Sequence, residues 1–219
     1  MSNGTSTPQP AARAVGVIGL GAMGAGMAQS LRRAGHHVHV HDIRPEAAAA
    51  FAAEGGTACA TLADMAAACR IVVSVVVNAQ QTEAVLFGEG GIAPALQPGS
   101  VFVMCSTVDP NWSVALEAKL QAQGVHYIDA PISGGAAKAA SGQMTMMTAG
   151  RPEAYAACEG VLDAMAAKVY RLGSSAGAGS KVKIINQLLA GVHIAAAAEA
   201  MALGPVSYTH LRAHETRGN

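Results

Sequence analysis

The sequence predicts an α/β fold in which helices cover both faces of a mostly parallel sheet. Short apolar segments alternate with helical segments, a pattern typical of consecutive βαβ units. Hydrophobic residues make up 51% of the 219 residues and charged residues only 13%, which is ample material for a core. Aromatic residues are scarce at 4%, so closely packed helices and tight turns are favoured over an aromatic-rich sandwich.

The alternation can be followed along the chain from residue 14. We predict strands at residues 14–19, 37–42, 71–77, 101–105, 125–129, 143–148 and 168–172. We predict helices at residues 22–34, 45–54, 110–123, 152–165 and 181–203, with shorter ones after Thr61 and around Glu83. The segment 71–77 (IVVSVVV) is almost entirely β-branched, as expected of a central parallel strand. Thr61 and Asp64 have the spacing of a capping box at a helix start.

A glycine motif joins the first strand to the first helix. It has the pattern GxGxxG, and its residues are Gly19, Leu20, Gly21, Ala22, Met23 and Gly24. In such a motif the first glycine permits the tight turn, the second lets a pyrophosphate approach the backbone, and the third lets helix and strand pack closely. The helix N-terminus offers free N–H groups to the phosphates. This context predicts a Rossmann-type domain that binds a dinucleotide.

The end of the second strand indicates which dinucleotide is bound. Asp42 lies 23 residues after Gly19, where a carboxylate hydrogen-bonds the hydroxyl groups of the adenosine ribose. A carboxylate at this place also repels a 2′-phosphate, so NAD is favoured over NADP. Arg44 weakens that preference, because an arginine could pair with the phosphate.

Two further segments carry polar residues in suggestive patterns. Residues 129–135 (DAPISGG) end a strand and lead into a helix, so the serine hydroxyl and glycine N–H groups could bind a carboxylate, although a plain tight turn has the same pattern. Lys183 and Asn186 are three residues apart on the long helix and share a face, whereas Lys181 points to the opposite side. Burial would lower the pKa of Lys183 and allow it to exchange protons with a hydroxyl group. Taken alone, Lys183 could equally be a surface lysine.

The three motifs together resemble the β-hydroxyacid dehydrogenase family. Residues 19–27 match its pattern GLGxMGxxM, residues 129–135 match DAPVSGG with Ile132 in place of valine, and residues 177–186 match GxGxxxKxxN. The resemblance covers residues 13–204. It implies that Lys183 is the catalytic acid/base and that Asn186 orients the substrate beside it.

The same resemblance implies roles for residues in three loops. Ser133, Gly134 and Gly135 would bind the substrate carboxylate, and Asn78 and Thr107 would contact the cofactor. Other stretches are most similar to the branch of the family that oxidises the C2 hydroxyl of a sugar acid, L-threonate. Oxidation of 3-hydroxyisobutyrate, reduction of tartronate semialdehyde, and a nucleotide-binding module without catalysis remain as alternatives.

The expected domain organisation has four parts. Residues 1–12 form a disordered segment, 13–179 the NAD-binding domain, 180–204 the start of a long interdomain helix that stops at Gly204 and Pro205, and 205–219 a tail that does not look native. Family members continue this helix into an all-helical C-terminal domain, which this sequence does not contain. We therefore expect a longer parent protein, and the resemblance implies that this parent is a homo-oligomer.

Composition argues against several other classes. The formal net charge is zero and no run of Lys or Arg occurs, so no nucleic-acid partner is expected. The start lacks a signal-peptide pattern and no unbroken run of about 18 apolar residues occurs, so no membrane partner is expected. The four cysteines are widely spaced, which favours reduced thiols and a cytoplasmic protein. His37, His39 and His41 alternate along one strand, too far apart to share a metal ion without other ligands.

Overall fold

The computed structural model describes residues 12–207, with side chains up to residue 203. All but the last residue of the predicted disordered segment 1–12, and most of the predicted tail 205–219, lie outside the described residues. The described strands are β1 (Ala14–Ile18), β2 (His37–His41), β3 (Thr57–Ala58), β4 (Ile71–Ser74), β5 (Val101–Met104), β6 (His126–Asp129), β7 (Ile132–Ser133), β8 (Met144–Gly150) and β9 (Ala166–Arg171). The described helices are α1 (Gly24–Arg33), α2 (Pro45–Ala53), α3 (Leu62–Ala68), α4 (Ala79–Phe87), α5 (Pro110–Gln121), α6 (Gly135–Ser141), α7 (Pro152–Ala157), α8 (Val161–Met165) and α9 (Ala178–Ser207).

The strands form one mostly parallel sheet, as the sequence predicts. Its first six strands follow the order β3-β2-β1-β4-β5-β6, all parallel, which is the order of a Rossmann domain. Strand β8 then pairs antiparallel with β6, and β7 and β9 both pair with β8. The antiparallel strands therefore extend the sheet beyond the six-stranded parallel part.

Apolar side chains fill both faces of the sheet. Along β4 and β5, neighbouring residues belong to opposite core clusters: Val73 and Val103 pack on one face, and Val72 and Phe102 pack on the other. This alternation follows from the two-residue period of a strand. Helices on both sides complete the three-layer arrangement that continuous apolar strands require.

Several elements differ from the prediction, among them β4, the helix predicted at 152–165, and α9. Strand β4 ends at Ser74 instead of residue 77, because its neighbours β1 and β5 end at the same level and leave residues 75–77 without a ladder partner. Val77 is accordingly 76% exposed. The helix predicted at 152–165 is broken into α7 and α8, because Gly160 adopts φ +80° and cannot continue a right-handed helix. Helix α9 does not stop at Gly204 and Pro205 but runs to Ser207.

The chain divides into two compact units, one ending at Lys183 and the other beginning at Ile184. Within the second unit, the side chains of α9 up to residue 203 are exposed. By length and composition alone, the stretch Ala178–Leu203 could cross a membrane, with a mean hydropathy of 1.3 in its most apolar window. Core helices of proteins that never meet a membrane pass the same test, so the absence of a membrane partner stays a prediction.

Candidate functional site

Most of the predicted site residues lie where parallel strands end. Gly19 follows β1, Asp42 follows β2, Asn78 lies four residues after β4, and Thr107 three after β5. Residues 130–135 follow β6. Because parallel strands end at one edge of a sheet, these segments share the carboxyl edge, where ligands bind in open α/β sheets.

The glycine turn has the shape that a dinucleotide requires. Gly19 adopts φ +90°, and a Cβ on Gly24 would lie 1.8 Å from the Gly19 carbonyl oxygen. Gly21 differs, since no atom lies within 4 Å of the place its Cβ would take. Helix α1 begins at Gly24, two residues later than predicted. The space beside Gly21 fits a pyrophosphate approaching the backbone.

Asp42 connects the glycine turn to the second strand. Its Oδ2 accepts a 2.6 Å hydrogen bond from the Leu20 N–H, and its Oδ1 accepts bonds from the Arg44 N–H at 2.9 Å and the Arg44 Nε at 3.1 Å. Burial acts to raise the pKa of Asp42, but the hydrogen bonds from Arg44 and Leu20 outweigh it and hold the pKa below its ordinary value. The Asp42 carboxylate is therefore ionised at neutral pH.

A cleft of about 600 Å³ opens beside these residues. It brings together four predicted cofactor residues, namely Gly19, Gly21, Asp42 and Arg44. Other residues that line the cleft were not predicted from the sequence, among them Ile43, Thr61, Leu62, Gln81 and Val85. Ile43 is 93% exposed although it is a large apolar side chain. Such a side chain at the cleft can pack against an apolar surface of a ligand.

Other predicted cofactor residues lie differently. The Leu20 side chain is buried in the core, so only its backbone faces the turn. Asn78 caps α4 by accepting a 2.9 Å hydrogen bond from the Gln81 N–H, and Thr107 is exposed after β5. Neither of these two, nor Ala22 and Met23, lines the cleft.

The segment after β6 leads into α6 through two glycines with positive φ, Gly134 at +142° and Gly135 at +78°. Ser133, predicted to lie in a turn, pairs instead with Thr145 in the short antiparallel ladder of β7 and β8. It is half-buried, whereas both glycines are exposed. The two glycines at the start of α6 are thus accessible to solvent.

Helix α6 packs directly on the glycine-motif helix α1. A Cβ on Gly26 would lie 2.5 Å from the Ala140 nitrogen, and the Ser30 hydroxyl donates a 2.9 Å hydrogen bond to the Ala139 carbonyl. The helix that follows the Ser133–Gly135 segment is therefore held by the helix that follows the glycine turn.

We expect Gly26→Ala to lower the free energy of unfolding by about 1–3 kcal/mol, because the added methyl group overlaps the α6 backbone. Denaturant unfolding followed by circular dichroism measures the change. An unchanged free energy of unfolding would mean that α6 moves away from α1 without cost.

Lys183 and Lys181 lie in different environments, as their spacing predicts. Lys183 is only 6% exposed, and Lys181 is exposed. Burial lowers the pKa of Lys183, and within residues 12–203 its ammonium group has no ion-pair partner. Asn186 follows on the same helix, in the second unit, and its side chain is exposed. The Lys183 amine is therefore neutral over a wider pH range than the amine of an ordinary lysine, as a proton acceptor requires.

Neither a metal centre nor a cysteine nucleophile is evident in the described residues. Within residues 12–207 no three His, Cys, Asp or Glu side chains are grouped closely enough to hold a metal ion. The four cysteines are free and buried, as the prediction of reduced thiols requires. Burial raises the pKa of Cys105, one residue after β5, to about 12, so it is a thiol and not a thiolate at neutral pH.

The strand order, the glycine turn and the cleft beside Asp42 define an NAD(P)-binding Rossmann domain. Comparison with known proteins agrees: residues 14–173 match the family model of the NAD binding domain of 6-phosphogluconate dehydrogenase. The chain is 62% identical over 192 residues to L-threonate dehydrogenase of Cupriavidus necator, covering 88% of this chain and 65% of that protein. It is 48% identical to L-threonate dehydrogenase of Haemophilus influenzae, covering 86% of this chain and 63% of that protein.

A solved structure extends the comparison to the fold. The 3-hydroxyisobutyrate dehydrogenase of Salmonella typhimurium superposes with a TM-score of 0.83 at 46% identity, covering 89% of this chain and 68% of that one. The chain therefore belongs to the β-hydroxyacid dehydrogenase family, and the resemblance found in its motifs is confirmed. It spans about 65% of the length of the Cupriavidus relative.

Proposed function

We propose that the protein to which this chain belongs oxidises the C2 hydroxyl of L-threonate to 2-dehydro-L-erythronate with NAD as the hydride acceptor. The observation that carries the proposal is the burial of Lys183, which has no ion-pair partner among the residues the structure describes and which the family motif GxGxxxKxxN assigns to acid/base chemistry. Its support from sequence is the 62% identity with an L-threonate dehydrogenase.

In the proposed reaction, a bound nicotinamide ring supplies the acceptor for the hydride that leaves C2. Neutral Lys183 takes the hydroxyl proton at Nζ, and Asn186 orients the hydroxyl group beside it. The N–H groups of Gly134 and Gly135 and the hydroxyl of Ser133 bind the carboxylate of the acid. Each turnover thus removes one hydride and one proton from the substrate and leaves a keto acid.

The cofactor residues are proposed from the cleft and from the family motif. The backbone of residues 19–24 binds the pyrophosphate at the start of α1, and Asn78 and Thr107 contact the nicotinamide side. Asp42 accepts hydrogen bonds from the ribose hydroxyls, which supports NAD over NADP. Its Oδ1 already pairs with Arg44, so Arg44 stands close enough to the ribose site to meet a 2′-phosphate.

We expect Arg44→Ala to weaken NADP binding by about tenfold while leaving NAD binding nearly unchanged, because only the 2′-phosphate would pair with the guanidinium group. Parallel calorimetric titrations with NAD and NADP measure both affinities. Equal losses for both cofactors would contradict this role for Arg44.

The pH dependence of oxidation should follow the Lys183 amine. Only the neutral amine accepts a proton, so the rate rises with pH through the pKa of Lys183 and then levels off. Because burial lowers that pKa, the plateau should begin at a lower pH than an ordinary lysine would give. Initial rates of L-threonate oxidation measured across pH check this expectation. A rate that does not rise with pH before the plateau would contradict it.

A first experiment on this chain combines calorimetric titration of NAD and NADP with an assay of NADH formation from L-threonate. Binding with turnover supports the whole proposal. Binding without turnover supports a nucleotide-binding module. A substrate panel that includes 3-hydroxyisobutyrate and glycerate, the alcohol that reduction of tartronate semialdehyde gives, separates the proposed substrate from its alternatives. The Salmonella structure makes 3-hydroxyisobutyrate the first of these.

A further inference from the structure

The Asp129 carboxylate holds a segment that lies about fifty residues further along the chain. Asp129 ends β6 and is fully buried, with 0% of its surface exposed. Its Oδ2 accepts hydrogen bonds from the Gly177 and Ser180 N–H groups, both at 2.9 Å, and its Oδ1 accepts one from the Ser180 hydroxyl at 2.7 Å. One side chain therefore binds the first turn of α9 at three points.

The backbone around these bonds has little room to shift. Gly177 adopts φ +95°, and a Cβ on Gly179 would lie 2.5 Å from the Met147 carbonyl oxygen and 2.9 Å from that of Asp129. The glycines of the motif GxGxxxKxxN thus allow the α9 backbone to contact β6 and β8 directly.

A second buried carboxylate holds the same turn from α5. The Glu117 Oε2 accepts a 3.1 Å hydrogen bond from the Ala176 N–H, while its Oε1 has no partner among the described residues. Two buried carboxylates thus converge on residues 176–180. Negative charge at a helix N-terminus is favourable, and it offsets part of the cost of burying these groups.

The hydrogen bonds of Asp129 have a direct consequence for Lys183. Lys183 lies three residues after Ser180 on the same helix and in the same compact unit. Three residues span about 4.5 Å along a helix, less than one turn, so the lysine follows any displacement of the helix start. Asp129 is also the first residue of the DAPISGG segment, which leads to Ser133. The hydrogen bonds of Asp129 therefore connect this segment to the motif GxGxxxKxxN.

We propose that Asp129 is a positioning residue: its carboxylate fixes the start of α9, and thereby places the Lys183 amine relative to the Ser133–Gly135 segment. This inference rests on the proposed role of Lys183 in proton transfer. It assigns Asp129 no contact with substrate or cofactor, and Asp129 does not line the cofactor cleft.

The test measures the pKa of Lys183 itself, by NMR titration of the lysine side-chain resonances, with Lys183→Met used to assign the signal. Three variants are compared: Asp129→Ala, which removes all three bonds; Asp129→Asn, whose amide oxygen still accepts from both N–H groups; and Ser180→Ala, which removes only the hydroxyl bond. Tyr155→Phe serves as the matched control, because it deletes a buried hydrogen bond to Thr148 elsewhere in the same unit. Calorimetry with NAD reports on the cofactor cleft in each variant.

In Asp129→Ala the pKa of Lys183 should rise toward the ordinary lysine value, because a displaced helix start exposes the amine to water. Asp129→Asn should restore the lowered pKa, and Tyr155→Phe should leave it unchanged, with NAD affinity preserved throughout. If Asp129→Ala does not fold, Ser180→Ala decides, with a smaller rise expected.

An unchanged or lower pKa in the deciding variant would overturn the proposal, as would an Asp129→Asn protein that behaves like Asp129→Ala. These results do not depend on turnover. A wild-type chain that binds NAD but fails to oxidise L-threonate would therefore support the alternative of a nucleotide-binding module and would not count against the positioning role.

Discussion

Replacing Lys183 by alanine is expected to lower the rate of L-threonate oxidation by about 10²- to 10⁴-fold, the usual contribution of a general acid/base group. NAD affinity should stay close to that of the unmodified chain, because Lys183 does not line the cleft beside Asp42. NADH formation measures the first quantity and calorimetry the second.

Lys181→Ala is the matched control for this change. Lys181 precedes Lys183 by two residues on α9 but is exposed, so its loss should leave the rate unchanged. Equal losses of rate in both variants would remove the reason for assigning proton transfer to Lys183. A parallel loss of NAD binding in Lys183→Ala would show that the lysine supports the fold or the cofactor and not the chemistry.

Gly21→Ala is expected to leave the folded domain intact and to weaken NAD binding by about 10- to 100-fold. The added methyl group meets no protein atom within 4 Å, so the free energy of unfolding should not change. The same methyl group occupies the space that the pyrophosphate would take. Thermal unfolding and NAD titration on one sample test both halves of the expectation.

Gly24→Ala is the informative comparison. Its Cβ would lie 1.8 Å from the Gly19 carbonyl oxygen, so this variant should lose stability as well as cofactor binding. If Gly21→Ala binds NAD as the unmodified chain does, the pyrophosphate does not approach the second glycine. If Gly21→Ala unfolds, Gly21 is needed for folding, and the loss of NAD binding would say nothing about the pyrophosphate.

Most of the fold could be predicted, because the local sequence pattern and the tertiary packing favour the same secondary structure. The buried parallel strands are short apolar segments, and Thr61 and Asp64 form the predicted capping box. The predicted bounds of an element were wrong where neighbouring strands decide at which residue it ends. Residues 75–77 are as β-branched as the strand before them, but they extend past the ends of β1 and β5.

The candidate site was predictable where a motif is local and unpredictable where it is not. The glycine turn and Asp42 follow from spacing along one βαβ unit. The hydrogen bonds of Asp129 could not be predicted, because their donors lie 48 and 51 residues further along the chain. Ile43 and Leu62 were missed because an apolar residue near a strand end is ordinarily read as core, and nothing in the sequence marks it as facing a cleft.

The antiparallel extension of the sheet bears on how the protein behaves at high concentration. Exposed strand edges are templates for pairing with other chains, and proteins protect them by shortening them or placing charges along them. In the described residues one edge of the sheet is β3, which has only two residues. At the other end β7 has only two residues, and β9 pairs with β8 alone and carries Lys168 and Arg171, both exposed. Both edges of the sheet are therefore poor sites for the strand-to-strand association that leads to aggregation.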